Sequence, residues 1–159
     1  MITAHPQGTG QRDGPALPEG YEISTDPARL DVDVIYKYLA EESYWSTGIA
    51  RDVVERSVAN SLCFGVYHGT TQVGFARVVT DWAQFGLLAD VFVLSEHRGK
   101  GLSKVLMNHV VEHEVVKRLR RFQLVTADAH GLYRQFGFGE IANTGRYMEI
   151  LRPDAHRSP

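Results

Sequence analysis

The stretch from Val91 to Ser103 places the strongest constraint on the fold of this chain. An apolar, strand-like segment passes through Arg98-Gly99-Lys100-Gly101 directly into a helical pattern. A strand that turns through two glycines into a helix brings unpaired backbone N–H groups and the positive end of the helix dipole to one place. The glycines let an anion approach the backbone closely, and the two cations add charge. The stretch predicts an anion site, although a simple tight turn before the helix explains the loop equally well.

Two common nucleotide-binding loops do not fit this stretch. No second glycine follows five positions after the first with a Gly-Lys-Ser or Gly-Lys-Thr ending, as a nucleotide hydrolase would require, and the dinucleotide-binding fingerprint is absent. The 159 residues include 17 basic and 19 acidic side chains, which argues against a nucleic-acid partner held by bulk charge. The single Cys63 and the lack of a charged-then-apolar leader predict a cytoplasmic protein. No apolar run approaches the ~20 residues of a membrane span.

The periodicity predicts one mixed α/β domain over residues 21–152. A glycine- and proline-rich tail that we expect to be disordered precedes it over residues 1–20, and a short tail follows over residues 153–159. The element order is βααβββαβαββ. A first helix is predicted to begin at Asp26-Pro27, with Tyr38 among its apolar positions. The further predicted elements include a three-strand antiparallel meander, one long helix, a helix capped by Asp128, and a final hairpin; these cover residues 62–94, 99–119, 128–136 and 139–151.

A second motif lies downstream, where the chain reads Ala129-His130-Gly131-Leu132-Tyr133-Arg134-Gln135-Phe136-Gly137-Phe138. Together with the glycine loop it resembles the GCN5-related N-acetyltransferase (GNAT) family over roughly residues 21–151. The family loop pattern, Gln/Arg-x-x-Gly-x-Gly/Ala, matches Glu96 to Gly101. Three positions depart from the family habit: Glu96, Ser103 and Thr126. The resemblance implies a mostly antiparallel twisted sheet of about six to seven strands, splayed between strands 4 and 5 and flanked by about four helices.

The same resemblance implies acetyl-CoA as co-substrate and assigns residues to it. The loop amides would hold its pyrophosphate, and the backbone at the splayed end of the fourth strand would receive the pantetheine arm and thioester. The cofactor-binding residues expected on this basis are Phe92, Val93, Arg98, Gly99, Lys100, Gly101, Leu102, Ser103 and His130. The alternative explanation for His130 is a packing role rather than contact with the cofactor. Tyr133 matches the general acid of the family, and its alternative is an ordinary packing role.

The acceptor site is expected at the loop between the first two helices. Tyr44 and Trp45 lie in this loop, while Arg77 and Asp81 would face it from the strands. The expected reaction is direct acetyl transfer, in a ternary complex, to a primary amine of a small molecule or peptide. The base is left open among Asp81, Asp90 and Glu42, of which Asp90 is better explained as structural. A non-catalytic acyl-CoA-binding module, O-acetylation and longer acyl groups are alternatives, and a homodimer is compatible with the family.

The pattern His109-Val110-Val111-Glu112-His113 fits the H-x-x-E-H sequence of inverted zinc peptidases. Its histidines share a helical stripe with apolar residues and no third ligand is evident, so packing is favoured and no metal is expected. The basic run over residues 117–121 is typical of a solvated helix end, and neither a nucleic acid nor a membrane is expected as a partner.

Overall fold

Five strands form one sheet in the order β1-β2-β3-β4-β5 in the computed structural model, which describes residues 14–157. The strands are β1 (Tyr21–Ser24), β2 (Leu62–His68), β3 (Thr71–Thr80), β4 (Phe85–Val93) and β5 (Arg121–Leu124). Neighbouring strands are antiparallel except for β4 and β5, which are parallel. The mixed, mostly antiparallel sheet confirms the predicted fold class.

Five helices accompany the sheet: α1 (Val32–Lys37), α2 (Arg51–Ala59), α3 (Leu102–Glu112), α4 (Glu114–Arg118) and α5 (His130–Arg134). The single long helix predicted over residues 99–119 is wrong, because the chain becomes extended at His113, with φ −61° and ψ 136°. The His113 imidazole accepts the Val115 amide at 3.3 Å and so caps α4. An apolar stripe that continues through the break conceals it from the sequence pattern.

The helix starts also depart from expectation in two places. Asp26 caps only a 3-10 turn, Pro27–Arg29, and α1 begins separately behind Asp31. Asp128 does not cap α5: the N-cap residue is Ala129, and no side chain caps this helix. The Thr126 hydroxyl accepts the Ala129 amide at 3.0 Å in the turn that precedes the helix.

Two apolar clusters pack on the two faces of the sheet. Along β2, Leu62, Phe64 and Val66 face the cluster that includes α3, whereas Cys63 faces the cluster built on α1 and α2. This alternation follows from the two-residue period of a strand. Helices cover both faces of the sheet. The glycine loop, which follows β4 in the chain, therefore lies at the carboxyl end of that strand.

The predicted hairpin over residues 139–151 is wrong. The chain turns at Asn143, whose φ is +61°, and makes a 3-10 turn at Thr144–Arg146, but no strand forms on either side of it. The sheet therefore has five strands rather than the expected six to seven. A final hairpin forms only where it can pair with the edge of a strand that is distant in the sequence. The alternation of residues along the hairpin itself does not predict whether such an edge is available.

The predicted terminal tails lie partly outside the described residues, which omit residues 1–13 and 158–159. Within the described part, Leu17 packs against the α3-side cluster, and the His156 carbonyl accepts the Ala50 amide at 2.8 Å. Across residues 14–157 the helices are all too short or too polar to traverse a lipid bilayer.

Candidate active site

The strands β4 and β5 separate halfway along β4. Their parallel ladder ends at the pair Leu88–Leu124, and beyond it, over residues 89–93, β4 pairs only with β3 in the described part of the chain. Asp90 sits at the separation with φ +53°, beside a register shift in the β3–β4 ladder. Such a bulge bends a strand and increases its twist. The result is the V-shaped opening that the sequence resemblance predicted.

The glycine loop lies at the end of β4 that borders this opening. Gly99 and Gly101 have φ values of +75° and +78°, a region that L side chains rarely adopt, and a Cβ added at either would meet nothing within 4 Å. Both positions therefore face open space. Val105 makes the first helical bond of α3, to the Gly101 carbonyl at 3.2 Å, so the three preceding amides remain available to an anion.

The other predicted loop residues differ in what they present to that space. The Leu102 side chain is 2% exposed and belongs to the core, so only its backbone can meet a ligand. Lys100 is exposed and Ser103 is half-buried. Hydrogen bonds with its own backbone amide and with the Ser95 side chain lower the pKa of the exposed Glu96, so its carboxylate is ionised at neutral pH while engaged with its own turn.

Arg98 is exposed, and two of its guanidinium nitrogens contact the protein. Its Nε donates to the Val93 carbonyl at 2.9 Å, and its Nη2 donates to the Tyr38 hydroxyl at 3.2 Å. Tyr38 in turn stacks on Phe92 with ring centroids 3.9 Å apart and an interplanar angle of 12°. Sequence analysis treated Tyr38 only as an apolar helix position. The hydroxyl of a buried tyrosine needs a hydrogen-bond partner, and this requirement was the available signal that Tyr38 contacts a polar group.

A partly buried ion pair joins β3 to β4 below the opening. Arg77 Nε lies 2.5 Å from Asp90 Oδ2, with the two side chains 17% and 9% exposed, and Arg77 Nη1 also donates to the Ser61 hydroxyl at 3.2 Å. Trp45 Nε1 donates to the other Asp90 oxygen at 3.1 Å. Both carboxylate oxygens are therefore engaged, which favours the structural explanation of Asp90 over a role as base.

The aromatic loop contacts both sides of the V. Trp45 bonds to Asp90 on β4, while the Tyr44 hydroxyl donates to Asp128 Oδ1, after β5, at 3.4 Å. The Tyr44 and Trp45 rings meet edge to face, 5.0 Å between centroids. Burial, reinforced by Tyr44 and Asp128, raises the pKa of Tyr133 on α5. Tyr133 lines the cavity beside β5, and its ring meets that of Phe138 edge to face, 6.0 Å between centroids. Asp128, which sequence analysis considered as a helix cap, contacts the aromatic loop.

Two predicted residues take other positions. Asp81 caps the β3–β4 turn, accepting the amides of Ala83, Gln84 and Phe85 at 2.9–3.0 Å, and these hydrogen bonds lower its pKa. It lies at the opposite end of β4 from the glycine loop and does not join the other candidates. His130 opens α5 with an exposed side chain and lines the cavity beside β5.

The zinc-peptidase pattern on α3 does not form a ligand set. His109 Nδ1 is 2.9 Å from the Val105 carbonyl, and His113 caps α4 beyond the helix break. Within residues 14–157 the structure brings no three histidine, cysteine or acidic side chains together in metal-binding geometry.

Comparison with known proteins gives a consistent set of relatives. Residues 59–140 match the family model described as the acetyltransferase (GNAT) domain. A Gibberella zeae protein classed as an acetyltransferase is 33% identical over 71% of this chain and 75% of its own. A crystal structure of a Xanthomonas campestris pv. campestris protein assigned to the GNAT family covers 90% of this chain and 100% of its own, at 42% identity and a TM-score of 0.85.

A more distant structure shows the fold alone. It is a Clostridium acetobutylicum protein solved with acetyl-CoA, 14% identical, covering 82% of this chain and 94% of its own at a TM-score of 0.58.

Proposed function

This chain belongs to the GNAT family of acetyltransferases, which use acetyl-CoA, and on that premise we propose that it transfers acetyl from acetyl-CoA directly to a primary amine. The acceptor is a small molecule or peptide that meets the cofactor in a ternary complex. The observation that carries the proposal is the V between β4 and β5, which has the open glycine loop at one end and Tyr133 beside it.

The glycine loop is the proposed pyrophosphate site. Free amides at the start of α3 and the positive end of its dipole suit the phosphates, and Lys100 adds an exposed charge. The contacts of Arg98 with the Val93 carbonyl and the Tyr38 hydroxyl support a role in holding the loop against β4, while its exposed guanidinium adds positive charge beside the phosphates. The bonds Glu96 makes within its own turn explain how an acidic residue is tolerated at this position.

The edge of β4 that β5 leaves free is the proposed seat of the pantetheine arm and thioester. The backbone of Phe92 and Val93 borders it, while both side chains are buried and need not react. The stack of Tyr38 on Phe92 and the Arg98 bond to the Val93 carbonyl hold this edge in place. If the thioester is already held in a fixed orientation, less entropy is lost in reaching the transition state when the amine attacks.

Tyr133 is the proposed general acid for the leaving thiolate. Its raised pKa keeps the hydroxyl protonated at neutral pH. Full transfer from a phenol of pKa about 10 to a thiolate of about 8.5 runs uphill by roughly 2 kcal/mol, and the raised pKa increases this cost. A hydrogen bond that stabilises the developing thiolate therefore supplies most of the benefit.

The rim formed by Tyr44, Trp45 and Asp128 is the proposed acceptor entrance. Exposed aromatic rings beside a carboxylate suit a cationic amine. An alkyl amine of pKa about 10.4 is neutral in about one molecule in 2,500 at pH 7, so its proton must leave before attack. Asp81 and Asp90 are both engaged elsewhere, and Glu42 and Asp128 are the carboxylates that we propose for this step, acting through water.

Calorimetric titration of the purified protein tests the cofactor first, with NAD and ATP as comparison ligands. We expect micromolar acetyl-CoA binding that is lost in a Gly99→Val, Gly101→Val variant. Gly69→Val is the matched control, because Gly69 also has positive φ, +60°, and open space around its Cβ, but lies in the β2–β3 turn. No binding by the wild type would refute the cofactor site.

Release of CoA thiol over a panel of primary amines then tests turnover. Turnover with at least one amine supports the proposed reaction. Binding of acetyl-CoA without turnover on any amine, hydroxyl or arylamine would favour a non-catalytic acyl-CoA-binding module, and preference for a longer acyl-CoA would contradict the choice of acetyl.

A further inference from the structure

Tyr38 contacts both the glycine loop and the strand that leads to it. Its hydroxyl accepts a hydrogen bond from Arg98 Nη2 at 3.2 Å, while Nε of the same guanidinium donates to the Val93 carbonyl at 2.9 Å. The Tyr38 ring is 7% exposed and stacks on Phe92 with centroids 3.9 Å apart. A buried hydroxyl that loses its partner costs free energy. The orientation of Arg98, directly before Gly99, is therefore linked to the position of the Tyr38 ring.

The same residue begins the turn that leads into the aromatic loop. The chain makes a π-helical turn over Tyr38–Glu42, and the Tyr38 carbonyl accepts the Ser43 amide at 2.9 Å. Ser43 is buried, and its own carbonyl accepts the Thr47 hydroxyl at 2.7 Å. Single π-helical turns are rare and occur frequently at functional sites. The aromatic loop is thus attached through its first residue to the backbone of Tyr38.

Trp45 extends these contacts to the acceptor side of the V. Its ring centroid lies 6.3 Å from that of Tyr38, with an interplanar angle of 49°, and its Nε1 donates to Asp90. The Trp45 side chain is 39% exposed and so forms part of the rim. Direct contacts therefore run from Arg98 through Tyr38 to Trp45. Measurement of the coupling between the two ends decides whether such a series transmits a change.

We propose that Tyr38 is a positioning residue that fixes the acceptor rim relative to the glycine loop: Arg98 holds its hydroxyl, and Tyr38 in turn holds Trp45 and the aromatic loop. The inference rests on the proposed function, which assigns the glycine loop to acetyl-CoA and Trp45 to the acceptor. A guanidinium has five N–H donors, and the bonds to Tyr38 and Val93 use two of them, so Arg98 can bind a phosphate without releasing Tyr38. Acetyl-CoA that orders the glycine loop then also orders the rim at which the amine enters.

The fluorescence of Trp45 in the ligand-free protein tests this inference. The chain has two tryptophans, and Trp82→Phe, in the β3–β4 turn, leaves Trp45 as the single reporter. In that background Arg98→Met is expected to shift the Trp45 emission to longer wavelength and to increase its quenching by acrylamide, because the Tyr38 ring beside it loses the bond that holds it. Lys100→Met is the matched control: it removes an exposed cation from the same loop and is expected to leave the emission unchanged.

A second variant shows whether the shift passes through Tyr38. Tyr38→Phe keeps the ring and removes only the hydroxyl, so it is expected to give the same shift alone, and Arg98→Met is expected to add nothing to it. Tyr36→Phe on α1 is the control for the loss of a tyrosine hydroxyl, and urea unfolding of each variant establishes that the emission is that of the folded chain. Unchanged Trp45 emission in Arg98→Met, or an equal further shift when Arg98→Met is added to Tyr38→Phe, would overturn the proposal.

Arg98→Lys keeps the test decisive if Arg98→Met does not fold. Lysine retains the positive charge, but one ammonium nitrogen replaces the two guanidinium nitrogens that bond to Tyr38 and Val93. The same shift in Trp45 emission is expected, and its absence in the folded variant would contradict the proposal.

Calorimetric titration with acetyl-CoA separates failure of this inference from failure of the proposed function. Tyr38→Phe is expected to weaken acetyl-CoA binding about 10-fold, the effect of one lost hydrogen bond to a charged group, because Arg98 is then no longer held beside the loop. Unchanged affinity would overturn the link between Tyr38 and the cofactor site. A wild-type protein that binds no acetyl-CoA, but shows the Arg98→Met shift and its dependence on Tyr38, would refute the cofactor assignment and support the role of Tyr38 between the two loops.

Discussion

Replacing Asp90 tests the network beneath the V. Asp90 is 9% exposed and accepts hydrogen bonds from both Arg77 and Trp45, while Arg77 is itself only 17% exposed. Removing one partner of a buried ion pair costs about 3–5 kcal/mol, because the other charge is left without compensation. The remaining Arg77 bond to Ser61 and its partial solvent access reduce this, so we expect Asp90→Asn to lower the free energy of unfolding by about 2–4 kcal/mol.

The backbone conformation of Asp90 makes a separate contribution to the free energy of unfolding, and a second variant measures it. Asp90 has φ +53°, which asparagine tolerates and alanine does not. Asp90→Ala should therefore cost about 1–2 kcal/mol more than Asp90→Asn. For a chain of this size each kcal/mol corresponds to about 2–4 °C in Tm.

Urea unfolding of the two variants, of Arg77→Met and of the double variant Arg77→Met, Asp90→Asn gives the pair energy directly. The double variant should be more stable than Asp90→Asn alone, because no unpaired charge remains. Glu112→Ala breaks the exposed Lys117–Glu112 pair and serves as control, with an expected loss of at most about 1 kcal/mol. If Asp90→Asn cost no more than this control, the pair would not be the buried link described here.

Three further predictions concern single groups. Tyr133→Phe should lower kcat by roughly 10²–10⁴ with unchanged acetyl-CoA affinity, whereas the control Tyr36→Phe on α1 should not; full activity of the first variant would remove its hydroxyl from the mechanism. Burial raises the pKa of Cys63 from 9.0 to about 11, so a thiol reagent at pH 8 should react roughly 100-fold more slowly with folded than with urea-unfolded protein, and equal rates would contradict its burial. Amide bonds lower the pKa of Asp81, so the stability that Asp81→Ala removes should be fully present above the ordinary aspartate pKa and disappear as pH falls through the folded value. A difference in urea midpoint that does not shrink as the pH is lowered below the ordinary aspartate pKa would refute this assignment.

The turn at the glycine loop was predictable from the sequence. Two glycines before an amphipathic helix permit positive φ, and both Gly99 and Gly101 adopt it. The strands of the meander were likewise predictable from their composition, to within one or two residues of the observed β2, β3 and β4. These features depend on neighbours close in the chain.

The features that escaped prediction depend on residues far apart. Tyr44 and Asp128 are 84 positions apart, and no local pattern shows that a loop spans β4 and β5. The helix break at His113 is invisible to an apolar stripe that continues across it. The predicted hairpin needed a distant strand edge as its partner, and the alternation along residues 139–151 carries no information about that edge.

With acetyl-CoA bound at the open edge of β4, as proposed above, the folding equilibrium would depend on the concentration of this co-substrate. Among the described residues, positions 89–93 of β4 have no strand beside them on the β5 side, so the backbone groups on that side are unpaired. A ligand bound along this edge would take the position of a neighbouring strand, and it would bind only the folded chain. At a concentration 100 times its Kd, such a ligand adds about 2.7 kcal/mol to the free energy of unfolding. The abundance of this protein in a cell would then follow the level of its co-substrate, since the unliganded chain is the form most exposed to proteolysis.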